Sequence, residues 1–154
     1  MKETERIRKL FEDLYAGNPW IEVNIVDSLV SLGHEKAAVK FQGRNSIWEI
    51  VNHMISWREN VLQRLEGEQA PAPDHNYFVP VTDNSSEAWK STLQHFHDSQ
   101  SNWISKLVHF NDEAFQILYK GNKLTYYEHI LGILQHDAYH LGQIVLLSKI
   151  LDQP

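Results

Sequence analysis

Apolar residues recur at alternating steps of three and four through four long stretches of this chain, and no segment alternates at period two for long. That pattern puts an apolar stripe on a helix and leaves a sheet no face to bury. Three of the stretches open on the same local signal. Ser46 with Glu49, Asn84 with Glu87, and Thr125 with Glu128 each place a capping side chain three residues ahead of a carboxylate. The first residue accepts from a free backbone N–H, and the glutamate sits where the helix dipole favours negative charge.

The first long helix is predicted over about residues 3–16, with Ile7, Leu10, Phe11 and Leu14 on one stripe and Gly17-Asn18-Pro19 ending it. A shorter helical piece follows on Ile25, Val26, Leu29 and Val30, and Gly33 is expected to stop it. The second long helix runs over about 47–66. The third, about 86–109, carries Trp89, Leu93, Phe96, Trp103 and Leu107 as a seam in which Gln100 is the one polar slot. The fourth, about 126–151, presents Ile130, Ile133, Leu134, Leu141, Ile144, Val145 and Leu147. Four such helices within 154 residues predict an all-α fold, a four-helix bundle forming a single domain over residues 1–154. Residues 67–85, with Pro71, Pro73 and Pro80, are too many for a tight hairpin. They are enough to cross a whole helix length, so the second and third helices are expected to run parallel.

Charge and composition narrow the function classes. A formal net charge of −6, with lysines and arginines scattered among acids, disfavours nucleic acid as a partner. No apolar run approaches the roughly 18 residues that a membrane span needs. Met1-Lys2-Glu3-Thr4-Glu5-Arg6 is polar and lacks a following apolar region, which argues against a signal peptide and for a cytoplasmic location. With no cysteine, the chain has neither a thiolate ligand nor a thiol nucleophile of its own.

The chemistry concentrates in His136-Asp137-Ala138-Tyr139-His140 of the fourth helix. Two imidazoles at i and i+4 stack on one face about 6 Å apart, close enough to share a metal ion. His129 shares their sector but lies about 10.5 Å along the axis from His136, too far for the same ion. On the second helix His53 borders the apolar arc beside Trp57, and three histidines form a known catalytic metal set. His53 joins the pair only where the second and fourth helices face each other. Otherwise each histidine is a core-edge group bonded to a backbone carbonyl.

Asp137 falls among apolar neighbours, where a carboxylate needs a partner. Either it orients a ligand imidazole or it pairs with Arg58, which also lies in an apolar arc. Tyr139 faces the polar side and reads as structural or interfacial. His34, His75, His95, His97 and His109 sit at helix ends, in loops or on divergent faces and carry no site. Trp20, after Gly-Asn-Pro, either lines a pocket or packs in the core, the second being expected. The absence of Glu-x-x-His argues against a ferritin-like di-iron bundle, and no zincin, nucleophile-elbow or phosphate-loop motif occurs.

Trp48-Glu49-Ile50-Val51-Asn52-His53 and His136-Asp137-Ala138-Tyr139-His140-Leu141-Gly142-Gln143-Ile144 resemble the two signature segments of the DinB/YfiT-like metalloenzyme family. Their separation, the early Gly17-Asn18-Pro19-Trp20 and the chain length resemble that family as well. The resemblance implies a four-helix bundle of unusual helix order, commonly a homodimer. It also implies a divalent metal ion, zinc or nickel, on His53, His136 and His140. Characterised members of the family use low-molecular-weight thiols, as bacillithiol S-transferases and mycothiol-dependent isomerases do. The expected activity is therefore a metal-dependent transferase acting on a small-molecule substrate with an exogenous thiol. A metal-dependent hydrolase and a non-catalytic, metal-binding stress-response dimer are the alternatives. A closed ligand shell completed by Asp137 would favour the last. Apolar residues spread over roughly 200° of the second helix, from Trp48 round to Trp57, also point to a second copy.

Overall fold

The computed structural model describes residues 1–153. Six α-helices account for most of them: α1 (Glu3–Ala16), α2 (Ile25–Val30), α3 (His34–Ala37), α4 (Ile47–Leu65), α5 (Ser86–His109) and α6 (Tyr126–Leu151). Among the described residues there is no strand, only an isolated bridge between Leu118 and Thr125. Among the described residues no helix is long and apolar enough to cross a membrane.

Two of the three capping signals form as the sequence implies. Ser46 Oγ accepts from the Glu49 N–H at 3.2 Å while Glu49 accepts from the Ser46 N–H at 2.9 Å. Thr125 and Glu128 exchange the same pair of bonds at α6. At α5 the cap is Ser85 and not Asn84. The Asp83 carboxylate accepts from the Ser85 N–H, which fixes the turn one residue later, and Ser85 Oγ then accepts from Ala88. Asn84 contributes its carbonyl to His34 instead. Gly33 does not end the short helix; α2 stops at Val30, and Gly33 is the N-cap of α3.

Side-chain pairing down the helices fixes their directions. Trp48 donates to Thr92, Arg58 to Gln100, and Lys106 to Glu66, so α4 and α5 run parallel. α1 opposes α5, with Phe11 stacked on Trp103 at 5.0 Å and Tyr15 edge-on to Phe96. α6 opposes α4, since Ile47–Ile55 pack with Leu141 and Ile144, whereas Val61 and Leu65 pack with Ile130 and Ile133. The connection from α4 to α5 returns along α4, where Asn60 and Arg64 both donate to the Ala70 carbonyl.

Four apolar expectations are corrected by this packing. Leu10 is 49 % exposed because Ile7, Phe11 and Leu14 alone face α5 and the core, and Val30 is also exposed. Trp20 is 97 % exposed, lying in the turn closed by the Glu22 N–H on the Pro19 carbonyl, so it neither packs in the core nor lines a cavity. The wide apolar arc of α4 is filled from within the chain by α5, α6 and the returning connection, so that arc is no argument for a second copy.

The interior forms two apolar clusters separated by a polar layer. Arg58, Ser99, Gln100 and Asp137 are each at most 5 % exposed. Arg58 Nε donates to Asp137 at 2.8 Å and Nη1 to Gln100 at 2.9 Å, while the guanidinium lies over the Phe96 ring. Gln100, the polar slot in the α5 seam, also donates to the Phe11 carbonyl. A buried ion pair is costly to break from one side, since it leaves an uncompensated charge. Arg58→Met is therefore expected to lower unfolding free energy by about 3–5 kcal/mol in urea titrations. Arg58→Met combined with Asp137→Leu should recover most of that loss. A single variant as stable as wild type would show that the pair carries no such burden.

Candidate metal centre

Opposed packing of α4 and α6 brings His53 to face His136 and His140, and one nitrogen from each ring lies within 4.8 Å of the other two. His53 and His140 are nearly inaccessible, and the ring centroids are 4.4 to 4.9 Å apart. Two of the rings have an anchor on the far nitrogen. His53 Nδ1 donates to the Asn76 carbonyl at 2.6 Å. His140 Nδ1 donates to Gln143 Oε1 at 2.6 Å, and Gln143 Nε2 in turn donates to the Tyr139 hydroxyl at 3.1 Å. His136 Nδ1 faces Asp137 Oδ1 at 3.8 Å.

These anchors bear on whether the trio suits a cation. Neutral His53 and His140, protonated at Nδ1, present bare Nε2 lone pairs. His136 Nε2 lies 2.9 Å from His53 Nε2. Were His136 the donor there, its bare Nδ1 would confront a carboxylate oxygen, and both atoms are buried without a hydrogen-bond partner. With a cation among the three Nε2 atoms, His136 carries its proton on Nδ1, toward Asp137. The two orphaned atoms then face each other with complementary charge, and the donor set suits a borderline-soft divalent ion.

Asp137 itself stands on the Nδ1 side of His136 and is held by Arg58, apart from the three-nitrogen cluster. Of its two sequence-derived roles, the pairing with Arg58 forms through Oδ2, while Oδ1 lies 3.8 Å from His136 Nδ1 with no hydrogen bond between them.

Above the histidines opens a cavity of about 660 Å³. Its walls include residues that helix periodicity could not supply. Asn76 and Tyr77 adopt left-handed backbone at φ 50° and 61°. This kink carries the Asn76 carbonyl to His53, the Asn76 side chain to Trp57 Nε1 at 2.9 Å, and the Tyr77 hydroxyl to Asn60. Phe78 then stacks on His53 at 3.9 Å. Tyr139, expected to be structural or interfacial, stands at the cavity wall. His129 is buried on Asn122 and lines a smaller cavity of about 240 Å³, which shares Trp57 and His136 with the first. The remaining histidines bond away from the cluster: His34 to Asn84, His75 to Tyr77, His95 to Glu59, His97 to Tyr15 and His109 to Ser105.

Burial lowers the His53 pKa to about 4, opposed by its bond to Asn76 and reinforced by His136 and His140. His140 is lowered as well, by burial and then by His136. Both rings are thus held in the neutral form that a metal ligand requires.

The molecule is an all-helical bundle with a three-histidine cluster at the base of a cavity. The profile of the DinB superfamily matches residues 24–144, and the chain belongs to that superfamily. The match spans α2 through most of α6 and includes all three histidines. No curated protein and no solved structure matches the chain.

The depressed His53 pKa has a stability consequence in the metal-free protein. Between its folded value of about 4 and the ordinary 6.5, the unfolded chain binds more protons than the folded one. This contribution is full above about pH 6.5 and is lost as pH falls toward 4. The Tm of chelator-treated protein should therefore drop between about pH 7 and pH 5, and His53→Gln should flatten that drop. Identical pH profiles for the two proteins would contradict the assignment.

Proposed function

We propose that His53, His136 and His140 hold a divalent metal ion, zinc or nickel, and that the cavity above them is the active site of a metal-dependent transferase. The nucleophile is a low-molecular-weight thiol from solution, and the substrate is a small electrophile. A divalent ion on three uncharged imidazoles keeps its full charge and lowers the pKa of a thiol or water bound beside it. The observation that carries the reading is the convergence of three ring nitrogens, two of them anchored through Nδ1 on protein acceptors.

The remaining groups position and shield. Asn76 and Phe78 fix the plane of His53, and Gln143 fixes His140. The Tyr139 hydroxyl accepts from Gln143 and keeps its own proton free to donate to a substrate atom in the cavity. Trp57, Ile50 and Leu147 exclude water from the walls. In the reaction the thiol gives up its proton to solvent, its sulfur forms the new bond to the electrophilic carbon, and the leaving group departs with the electron pair of the broken bond.

Two observations favour this reading over its rivals. No aspartate or glutamate lines the cavity, so its walls supply no carboxylate base to assist an attacking water. Asp137 is committed to Arg58, which leaves coordination positions open and speaks against a closed structural site.

Elemental analysis of untagged protein tests the site. Wild type should carry about one ion per chain, and the variant with His53, His136 and His140 all changed to alanine should carry none. Metal retained by the variant, or absent from wild type after zinc and nickel are supplied, would overturn it. An activity screen with and without added thiol separates transferase from hydrolase.

A further inference from the structure

The cavity over the histidines has apolar and aromatic walls from Trp57, Phe78, Leu146 and Leu147, with amide groups from Asn45 and Asn76. Arg44 is the only lysine or arginine that lines it, and no acid does. Arg44 is an exposed residue of that lining. Among the described residues it has no ion-pair partner, whereas Lys40, four positions earlier, is paired with Glu49 of α4 at 2.8 Å.

That pairing also says where Arg44 is held. Lys40 ties the segment to the first turn of α4, and Gln42 and Gly43 turn the chain at φ 49° and 70°. Ser46 then begins the helix that carries His53. Arg44 therefore lies two residues before the N-cap of the helix that carries His53. A chain with net charge −6 repels small anions over most of its surface, and an unpaired guanidinium beside low-dielectric walls makes a local exception.

We infer that Arg44 is a specificity-determining residue that binds the carboxylate of a small apolar or aromatic acid whose opposite end lies over the histidines. One guanidinium matches the single charge of a carboxylate and its fork geometry. The inference rests on the cavity's being the reaction site, but its test does not need turnover.

Isothermal titration calorimetry on the full chain, both zinc-loaded and chelator-treated, would compare phenylbutyrate with its uncharged amide and with phenylpropyl phosphate. Wild type should bind the acid about tenfold more tightly than the amide. Arg44→Gln should bring the two within about twofold without changing the affinity for the amide, and Arg44→Lys should keep part of the preference. Because Arg44 is exposed and unpaired, Arg44→Gln should melt as wild type does. An acid preference unchanged by Arg44→Gln would overturn the inference. A preference seen only with zinc and indifferent to Arg44→Gln would place the anion on the metal, overturning the inference and leaving the metal site standing. Tighter binding of the phosphate would overturn the carboxylate class, and binding of none of the probes would overturn the cavity as a site for such acids. A chain that binds no metal yet shows the Arg44-dependent preference would overturn only the metal reading.

Discussion

Opposed packing of α4 against α6 turns histidines far apart in sequence into one cluster, and the buried Arg58–Asp137 pair pins that packing at its middle. The pair lies between the two apolar clusters, with Ile55 and Leu141 on one side and Val61 and Ile133 on the other. Apolar contacts alone tolerate sliding and rotation of one helix on another, because they are non-directional. A guanidinium bonded to a carboxylate, a glutamine and a serine hydroxyl is not so tolerant, since displacement leaves buried polar atoms unpaired. The same carboxylate faces His136, so the element that sets the helix register also sits against the site.

The site is completed by chain that leaves the helices. Two short turns with consecutive left-handed residues, Gln42-Gly43 and Asn76-Tyr77, flank the cavity. Non-glycine residues in that region are strained and persist only where surrounding contacts hold them. Asn76 is held by His53 and Trp57, and Tyr77 by Asn60. The rigid helices thus provide the imidazoles, and the Asn76-Tyr77 turn provides the anchor of His53 and part of the cavity wall.

Helix spans, the parallel second and third long helices and the His136–His140 pair were legible because each leaves a signal in spacing or chain length, whereas His53 joined them only through the resemblance of the two signature segments. The 3.6-residue repeat marks the helices, and the length of the α4–α5 connection permits a crossover. The i,i+4 relation marks His136 and His140. The features that eluded the sequence have no period. Which of Asn84 or Ser85 caps α5 depends on the Asp83 turn. The four residues of α3 are too few to show an apolar stripe. Trp20 is apolar by type, yet its turn points it into solvent. Asn76, Phe78 and Arg44 reach the site through loop geometry that only the folded chain defines. Gln143, three residues beyond His140, was the one supporting group whose spacing could have announced it.

Anomalous diffraction at the zinc edge, on crystals of protein supplied with zinc, tests the central claim most directly. A single peak bonded to the Nε2 atoms of His53, His136 and His140, at about 2.0–2.1 Å from each, is the predicted result. A peak bonded through Nδ1, one that includes Asp137 as a ligand, or none at the cluster would contradict it.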